Sequence, residues 1–323
     1  MCTALFLKGQ GRYFGRNLDF DFSYGEQVCV VPRRFPLPYR NGENDSNHPS
    51  FLGMAFVQNG YPLFYDGTNE AGLSIAGLNF VGNACYNKDS EKKKNIAQFE
   101  FIPYVLSTFK TVGEVEKALD SINITDTPYS ESLPCASLHY MIADKERCIV
   151  VEFVKDGTHI YDNPFGVMTN NPAFDMQVAN LNNYQKLSEK DPVNTFGGSL
   201  PLSCYSRGMG SIGLPGDLSS MGRFVRACFG RSHSLCRSGE SEISQFFHLL
   251  RFVEQPRGLC QVKEGAYEIT IYTSCVDMER GIYYYSTYGN SQINAVDMHR
   301  VDLGGSCLFQ YPVQDEENIA FRN

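Results

Sequence analysis

Three residues near the start of the chain have types and spacing that suit covalent chemistry: Cys2, Arg16 and Asp19. Cys2 directly follows Met1, and a small second residue allows methionine aminopeptidase to remove the methionine. The mature chain is then expected to begin with a thiol and a free α-amine on one residue. A free thiol has a pKa of about 8.5, and only its thiolate is a strong nucleophile. An α-amine, with a pKa of about 7.7–8.0, is partly neutral near pH 7 to 8. One residue can therefore supply both nucleophile and general base. A cysteine at position 2 is incidental in most chains, so the reading depends on its surroundings. An arginine beside the sulfur favours the thiolate. An aspartate beside it holds the amine or the thiol proton through a charge-assisted hydrogen bond. Taken separately, the same two residues at a strand end would be a surface ion pair of little consequence.

The pattern around these residues predicts the elements that bring them together. Residues 2–7 and 12–17 read as strands around a turn at Lys8-Gly9-Gln10-Gly11, so Arg16 and Asp19 return beside Cys2. Residues 54–58 and 62–65 flank Asn59-Gly60, a strong hairpin signal. Residues 73–80 form another strand. Helices are expected over 99–110 and 112–122, the second opened by a Thr111 to Glu114 capping box. Strands resume over 139–143, 148–154 and 159–161. Helices follow at 175–187 and 242–253, and a hairpin of 267–274 with 281–288 ends the pattern. This order is not the βαβ alternation of a parallel sheet. It predicts an α+β protein, with two antiparallel sheets face to face and helices outside them.

Composition narrows the function. The 323 residues carry a net charge of −8, which argues against a nucleic-acid partner. The one dense basic run, Lys92-Lys93-Lys94, is flanked by Asp89 and Glu91 and reads as a solvated loop. With no linker or low-complexity block, residues 1–323 are expected to form a single domain. No stretch is long and apolar enough for a membrane span. The opening apolar run is too short for a secretory signal, so a cytoplasmic protein is expected, its 11 cysteines reduced. The six histidines form no close metal-ligand pair. His139 and His248 lie in apolar segments and read as structural. Gly208-Met209-Gly210-Ser211-Ile212-Gly213 matches G-x-G-x-x-G, but it lacks the preceding strand and following helix that a dinucleotide site needs.

Eight motifs then occur in a telling order. They are Met1-Cys2-Thr3, Gly15-Arg16-Asn17-Leu18-Asp19, Ala76-Gly77-Leu78-Asn79-Phe80, Met168-Thr169-Asn170-Asn171-Pro172, Gly213-Leu214-Pro215-Gly216-Asp217, Arg223-Phe224, Tyr272-Thr273-Ser274-Cys275 and Gly281-Ile282-Tyr283-Tyr284-Tyr285. Together they closely resemble the choloylglycine hydrolase family, which comprises bile salt hydrolases and penicillin V acylases of the N-terminal nucleophile superfamily. The resemblance runs through nearly the whole chain.

The resemblance implies the four-layer αββα sandwich of that superfamily. It implies Cys2 as nucleophile, with Arg16 and Asp19 orienting and activating it, and Arg223 as a second arginine near the thiol. It also implies an oxyanion hole made by the Asn170 side chain and the backbone N–H of Asn79. Cys2, Arg16 and Asn79 would contact substrate, and Leu18, Tyr65 and Leu133 align with the walls of the family's steroid pocket. Gln58 and Tyr129 align there more loosely. Asn at position 79, where the acylases tend to carry Tyr, favours conjugated bile acids as substrates. Tyr65 is larger than the small residue expected at its position, which bears on the preferred bile acid core. No metal or cofactor is implied, and a homotetramer is. The alternatives are a penicillin V acylase, another linear-amide hydrolase such as an acyl-homoserine-lactone acylase, and a non-catalytic bile acid binder.

Overall fold

The computed structural model describes residues 1–323. The first hairpin forms as expected: β1 (Cys2–Lys8) pairs antiparallel with β2 (Arg12–Phe20), with Cys2 opposite Leu18 and Ala4 opposite Arg16. The second large sheet starts with β3 (Gln27–Val31), β4 (Phe51–Gln58), β5 (Asp66–Asn69) and β6 (Ser74–Asn79). It continues through β7 (Leu138–Ala143), β8 (Cys148–Val154) and β9 (Gly157–Asp162). The first sheet is completed by β10 (Val167–Met168), β11 (Ile269–Asp277), β12 (Ile282–Thr287) and β13 (Asn294–Asp297), and β14 (Phe309–Pro312) returns to the second. The strand orders are β10-β1-β2-β11-β12-β13 and β9-β8-β7-β6-β5-β4-β3-β14, with Tyr61–Phe64 paired onto β4. Neighbouring strands in both sheets run antiparallel.

Five helices cover the sheets: α1 (Phe101–Thr108), α2 (Val112–Leu119), α3 (Phe174–Leu181), α4 (Ser220–Ser232) and α5 (Glu242–Arg251). The period-2 alternation of strand side chains assigns the layers. In the second sheet, Val28, Val30, Met141, Ala143 and Val150 join the first sheet, α4 and α5 in one core. Their neighbours Cys29, Val31, Tyr140, Ile142, Ile149 and Val151 pack with Phe101, Val105, Val112 and Val115 of α1 and α2 in another. The layers are therefore helix, sheet, sheet, helix, the αββα sandwich that the motifs implied.

Several expected elements have different bounds. The 99–110 helix starts as a 3-10 turn at Gln98–Glu100 and becomes α-helical only at Phe101. The helix expected over 112–122 stops at Leu119, because Ile122–Thr125 is a strand pairing parallel with Lys94–Ala97. α3 ends at Leu181, short of the expected 187. The Asn59-Gly60 turn is as read: both residues have positive φ (53° and 76°), the geometry of a tight two-residue hairpin. The Gly208–Gly213 motif is an exposed 3-10 turn with no strand before it. α4 was not foreseen. No helix is long and apolar enough to cross a membrane.

Candidate active site

Cys2 opens β1 and is almost fully buried, and its neighbours come from both sheets. Arg16 lies two residues in register from Leu18, the partner of Cys2, so its side chain reaches the thiol. Arg16 Nη2 donates to Cys2 Sγ at 2.6 Å. The same guanidinium donates through Nη1 to Gly77 O (2.6 Å) and Tyr65 O (3.2 Å), which ties the first sheet to the second. Burial works against the Arg16 charge, but Cys2, Tyr272, Asp66 and Tyr283 oppose it strongly enough to hold the group above its ordinary value. Arg16 is thus a fixed cation against the sulfur.

This approach depends on Gly15. A Cβ at that position would fall 2.0 Å from Ser274 O of the adjacent β11, so no side chain fits without separating the strands. Arg16 N–H donates to Ser274 Oγ at 3.1 Å at the same crossing.

Asp19 is fully buried beside β11, where Thr270 Oγ1 donates to its Oδ1 at 2.6 Å. Its Oδ2 has no hydrogen-bond partner, and the nearest cation, Arg223 Nη1, is 3.8 Å away. Burial raises the Asp19 carboxyl above the usual range, while Arg223 and the terminal ammonium pull it back. Arg223, on α4, donates to Cys2 O, to Thr3 Oγ1 (2.6 Å) and to Asn170 Oδ1 (2.8 Å). Burial pulls Arg223 below the ordinary arginine value, with Asp19 and Cys2 opposing.

The Asn170 side-chain orientation follows from its partners. Cys2 N–H (2.7 Å) and Arg223 Nη2 (2.8 Å) both donate to Oδ1, so the other atom is the NH2 group. One of its two hydrogens goes to Asn79 O at 2.8 Å. The Asn79 N–H is set by the ladder. Leu78 pairs with His139, and Phe80 N–H donates to Ser137 O, so the peptide groups of 78 and 80 face β7. Those of 77 and 79 face the opposite way. Gly77 N–H accordingly donates to Tyr65 O at 3.0 Å, and Asn79 N–H faces away from β7; Asn79 and Cys2 line one cavity. The Asn170 side chain thus joins the Cys2 backbone to Asn79.

Met1 stands ahead of this cluster. Its ammonium donates to Asp19 O (2.8 Å) and to Glu268 Oε1 (2.7 Å). In this state the nitrogen of Cys2 is a peptide amide.

A cavity of about 400 Å³ opens at the sulfur, and 17 of its 25 lining residues are hydrophobic, which suits a large apolar acyl group. Cys2, Arg16, Leu18, Asp19, Tyr65, Asn79, Leu133 and Tyr129 line it, while Asn170, Arg223 and Gln58 do not. Gln58 instead accepts the Tyr129 hydroxyl through its carbonyl. Phe20, Phe22, Tyr24 and Phe56, which the motifs do not mark, line the same cavity and contact one another ring to ring. The aromatic-every-second-residue run after Asp19 was the available signal. Thr270 and Glu268 had none, since only the sheet register brings them to Asp19 and Met1.

A buried thiol at the start of a strand, a fixed cation against it and an apolar cavity beside it suit an amide hydrolase of the N-terminal nucleophile type. Residues 2–318 match the family model described as linear amide C–N hydrolases, choloylglycine hydrolase family. The chain belongs to that family. It is 51% identical over 317 residues to a bile salt hydrolase/transferase of Lactiplantibacillus plantarum, with 98% of each chain covered. It is 40% identical to one of Clostridium perfringens, with 96% of each covered. The crystal structure of the C2A mutant of the conjugated bile acid hydrolase from Clostridium perfringens superposes with a TM-score of 0.94 at 39% identity, covering all of both chains. A penicillin V acylase of Agrobacterium tumefaciens shares the fold, with a TM-score of 0.74 at 22% identity over 96% of this chain and 90% of that one.

Proposed function

We infer that this enzyme cleaves the amide of glycine- or taurine-conjugated bile acids through a thioester on Cys2. The observation that carries the reading is the Arg16-bound thiol of Cys2 at the wall of a mostly apolar cavity of about 400 Å³. The relatives' names supply the substrate class.

Removal of Met1 turns the Cys2 amide into an α-amine. Asn170 Oδ1 remains its acceptor, and the unpartnered Asp19 Oδ2 and Glu268 are nearby anions to hold its charge. The amine takes the thiol proton, and sulfur attacks the amide carbonyl. The oxyanion is met by Asn79 N–H and Asn170 Nδ2; one such donor contributes about 3–4 kcal/mol to the barrier reduction. The ammonium then protonates the departing nitrogen, so glycine or taurine leaves as a neutral amine. Water, deprotonated by the same amine, breaks the C–S bond and releases the bile acid. An added amine can take the place of water at the thioester, which fits the second half of the name hydrolase/transferase borne by the relatives.

Incubation with taurocholate, glycocholate and penicillin V tests the substrate class. Release of taurine or glycine is expected, with Cys2→Ala inactive. Turnover of penicillin V alone would make the enzyme an acylase, and bile acid binding without turnover would make it a binder. We also read the protein as cytoplasmic and homotetrameric. Exposed Val193, Phe196, Leu202 and Tyr205 in one long loop support contact between copies, and sedimentation velocity measures it.

A further inference from the structure

The two donors proposed for the oxyanion come from separate segments, the end of β6 and the loop after β10, and a single direct contact joins them, Asn170 Nδ2 to Asn79 O at 2.8 Å. Behind them lies a buried ionisable pair that the mechanism does not use. His139 on β7 and Glu152 on β8 are 1% and 0% exposed, on the face of the second sheet turned toward the first. His139 Nε2 donates to Thr169 O at 2.9 Å, the carbonyl just before Asn170. Its Nδ1 lies 3.2 Å from Glu152 Oε1, a contact that is a hydrogen bond with one proton between the two atoms. Glu152 Oε1 also accepts from Phe174 N–H at 3.0 Å, four residues after Asn170 and at the start of α3. The imidazole lies flat against the Phe80 ring, with centroids 4.2 Å apart and planes 6° apart. Phe80 directly follows Asn79.

We propose that His139 and Glu152 form a positioning unit that sets the distance between the two oxyanion donors, the Asn79 N–H and the Asn170 side chain. The pair grips the Asn170 loop on both sides, at Thr169 and Phe174, and reaches the Asn79 strand through the stacked Phe80. Two side-chain amides also tie the segments at the site itself, Asn170 Nδ2 to Asn79 O and Asn171 Nδ2 to Val81 O, each at 2.8 Å, while Gln177 and Ser220 hold only the Asn170 loop, through Asn170 O and Asn170 N–H. Neither His139 nor Glu152 lines the substrate cavity, so their effect on substrate passes through the donors.

The proposal rests on the amide-hydrolase reading and makes a demand that simple structural support does not. An oxyanion hole acts on a carbonyl addition but not on displacement at a saturated carbon. Alkylation of Cys2 by iodoacetamide uses the same thiol and forms no oxyanion. His139→Gln and Glu152→Leu are therefore expected to lower kcat for taurocholate by 10- to 100-fold. KM should stay within threefold and the alkylation rate of Cys2 within twofold of the parent. Glu152→Gln, which keeps an acceptor for Phe174 N–H, should recover part of the kcat. Phe80→Leu leaves no buried polar group unpaired; it should fold even where His139→Gln does not, and show the same pattern more weakly. Unchanged kcat in folded His139→Gln, or alkylation that falls in step with kcat, would overturn the inference. A parent enzyme that leaves taurocholate intact would refute the substrate reading instead. The variants would then be read on whichever linear amide the parent turns over.

Discussion

Arg16 shows how much one side chain is asked to do. Its contacts to Cys2 Sγ, Gly77 O and Tyr65 O use the planar fork of a guanidinium, and a lysine offers one point of charge on a flexible stem. Arg16→Lys should lower kcat/KM on conjugated bile acids by about 100-fold, some 2.7 kcal/mol of transition-state stabilisation. It should also slow alkylation of Cys2, which separates it from changes at the oxyanion hole. On the proposed mechanism Asn170→Ala removes a donor to the oxyanion and takes the acceptor from Arg223 Nη2, so kcat should fall by about 10²–10³. Steady-state kinetics on mass-verified protein measures both. At this scale the sequence was readable where the motif was local. Cys2, Arg16 and Asp19 could be joined through one hairpin, and Asn79, Asn170 and Arg223 only through resemblance, since they come from distant segments. Glu268, Thr270 and the Asp66 carboxylate, which accepts from Tyr272 and Tyr283 at 2.7 Å each, carry no local mark of their role.

Elements were legible in proportion to how well their buried faces are apolar. α2 was found because its cap and its stripe agree: Thr111 Oγ1 accepts from Glu114 N–H, and Val112, Val115 and Leu119 are buried. Thr111→Ala should cost about 1 kcal/mol in urea denaturation, without effect on catalysis. α4 was missed because its buried face carries Gly222 and Arg223 among Phe224, Val225, Ala227 and Cys228. A charged residue in the apolar stripe breaks the period, and it is there to reach Cys2 and Asn170. Gly222 in turn lies against Asp217, whose carboxylate would be 2.5 Å from a Cβ. The site thus hid the helix that serves it. Gly15 makes the complementary point on β2. Gly15→Ala pushes β2 from β11 and should destabilise by more than Thr111→Ala, in the range of about 1–3 kcal/mol or above. Because Arg16 moves with the strand, kcat should fall as well.

At the scale of the whole molecule, the two cores bury thiols that are chemically silent. Burial pushes Cys29 up to about 12, and it raises Cys148, Cys228 and Cys275 too. At pH 8 these four should resist alkylation in the folded protein, while exposed Cys85, Cys204 and Cys307 react, as peptide mapping would record. The same shifts set the alkaline limit. Each of these thiols stays protonated when folded and ionises at about 8.5 when unfolded. Their contribution is complete below that pH and is lost as pH rises toward the folded values, by about 1.4 kcal/mol per pH unit for each thiol. Tm should therefore decline from about pH 8.5 upward, as calorimetry would show. Two antiparallel sheets with helices outside were legible from strand and helix order, which lacks the βαβ alternation of a parallel sheet, and the αββα sandwich itself came from the family resemblance. The order of strands within each sheet was not legible, since it depends on pairings across the length of the chain. One such pairing has a consequence in time. The carboxylate that clamps the Met1 ammonium belongs to Glu268, 267 residues downstream. At about 5–20 residues per second of synthesis, the leading end waits roughly 15–50 s on the ribosome before that clamp exists. On the proposed mechanism, methionine excision has its opportunity then, while the end is still loose. A chain that folds with Met1 in place closes around it, so protein made faster than its aminopeptidase can act should accumulate as a well-folded, unprocessed and inert fraction.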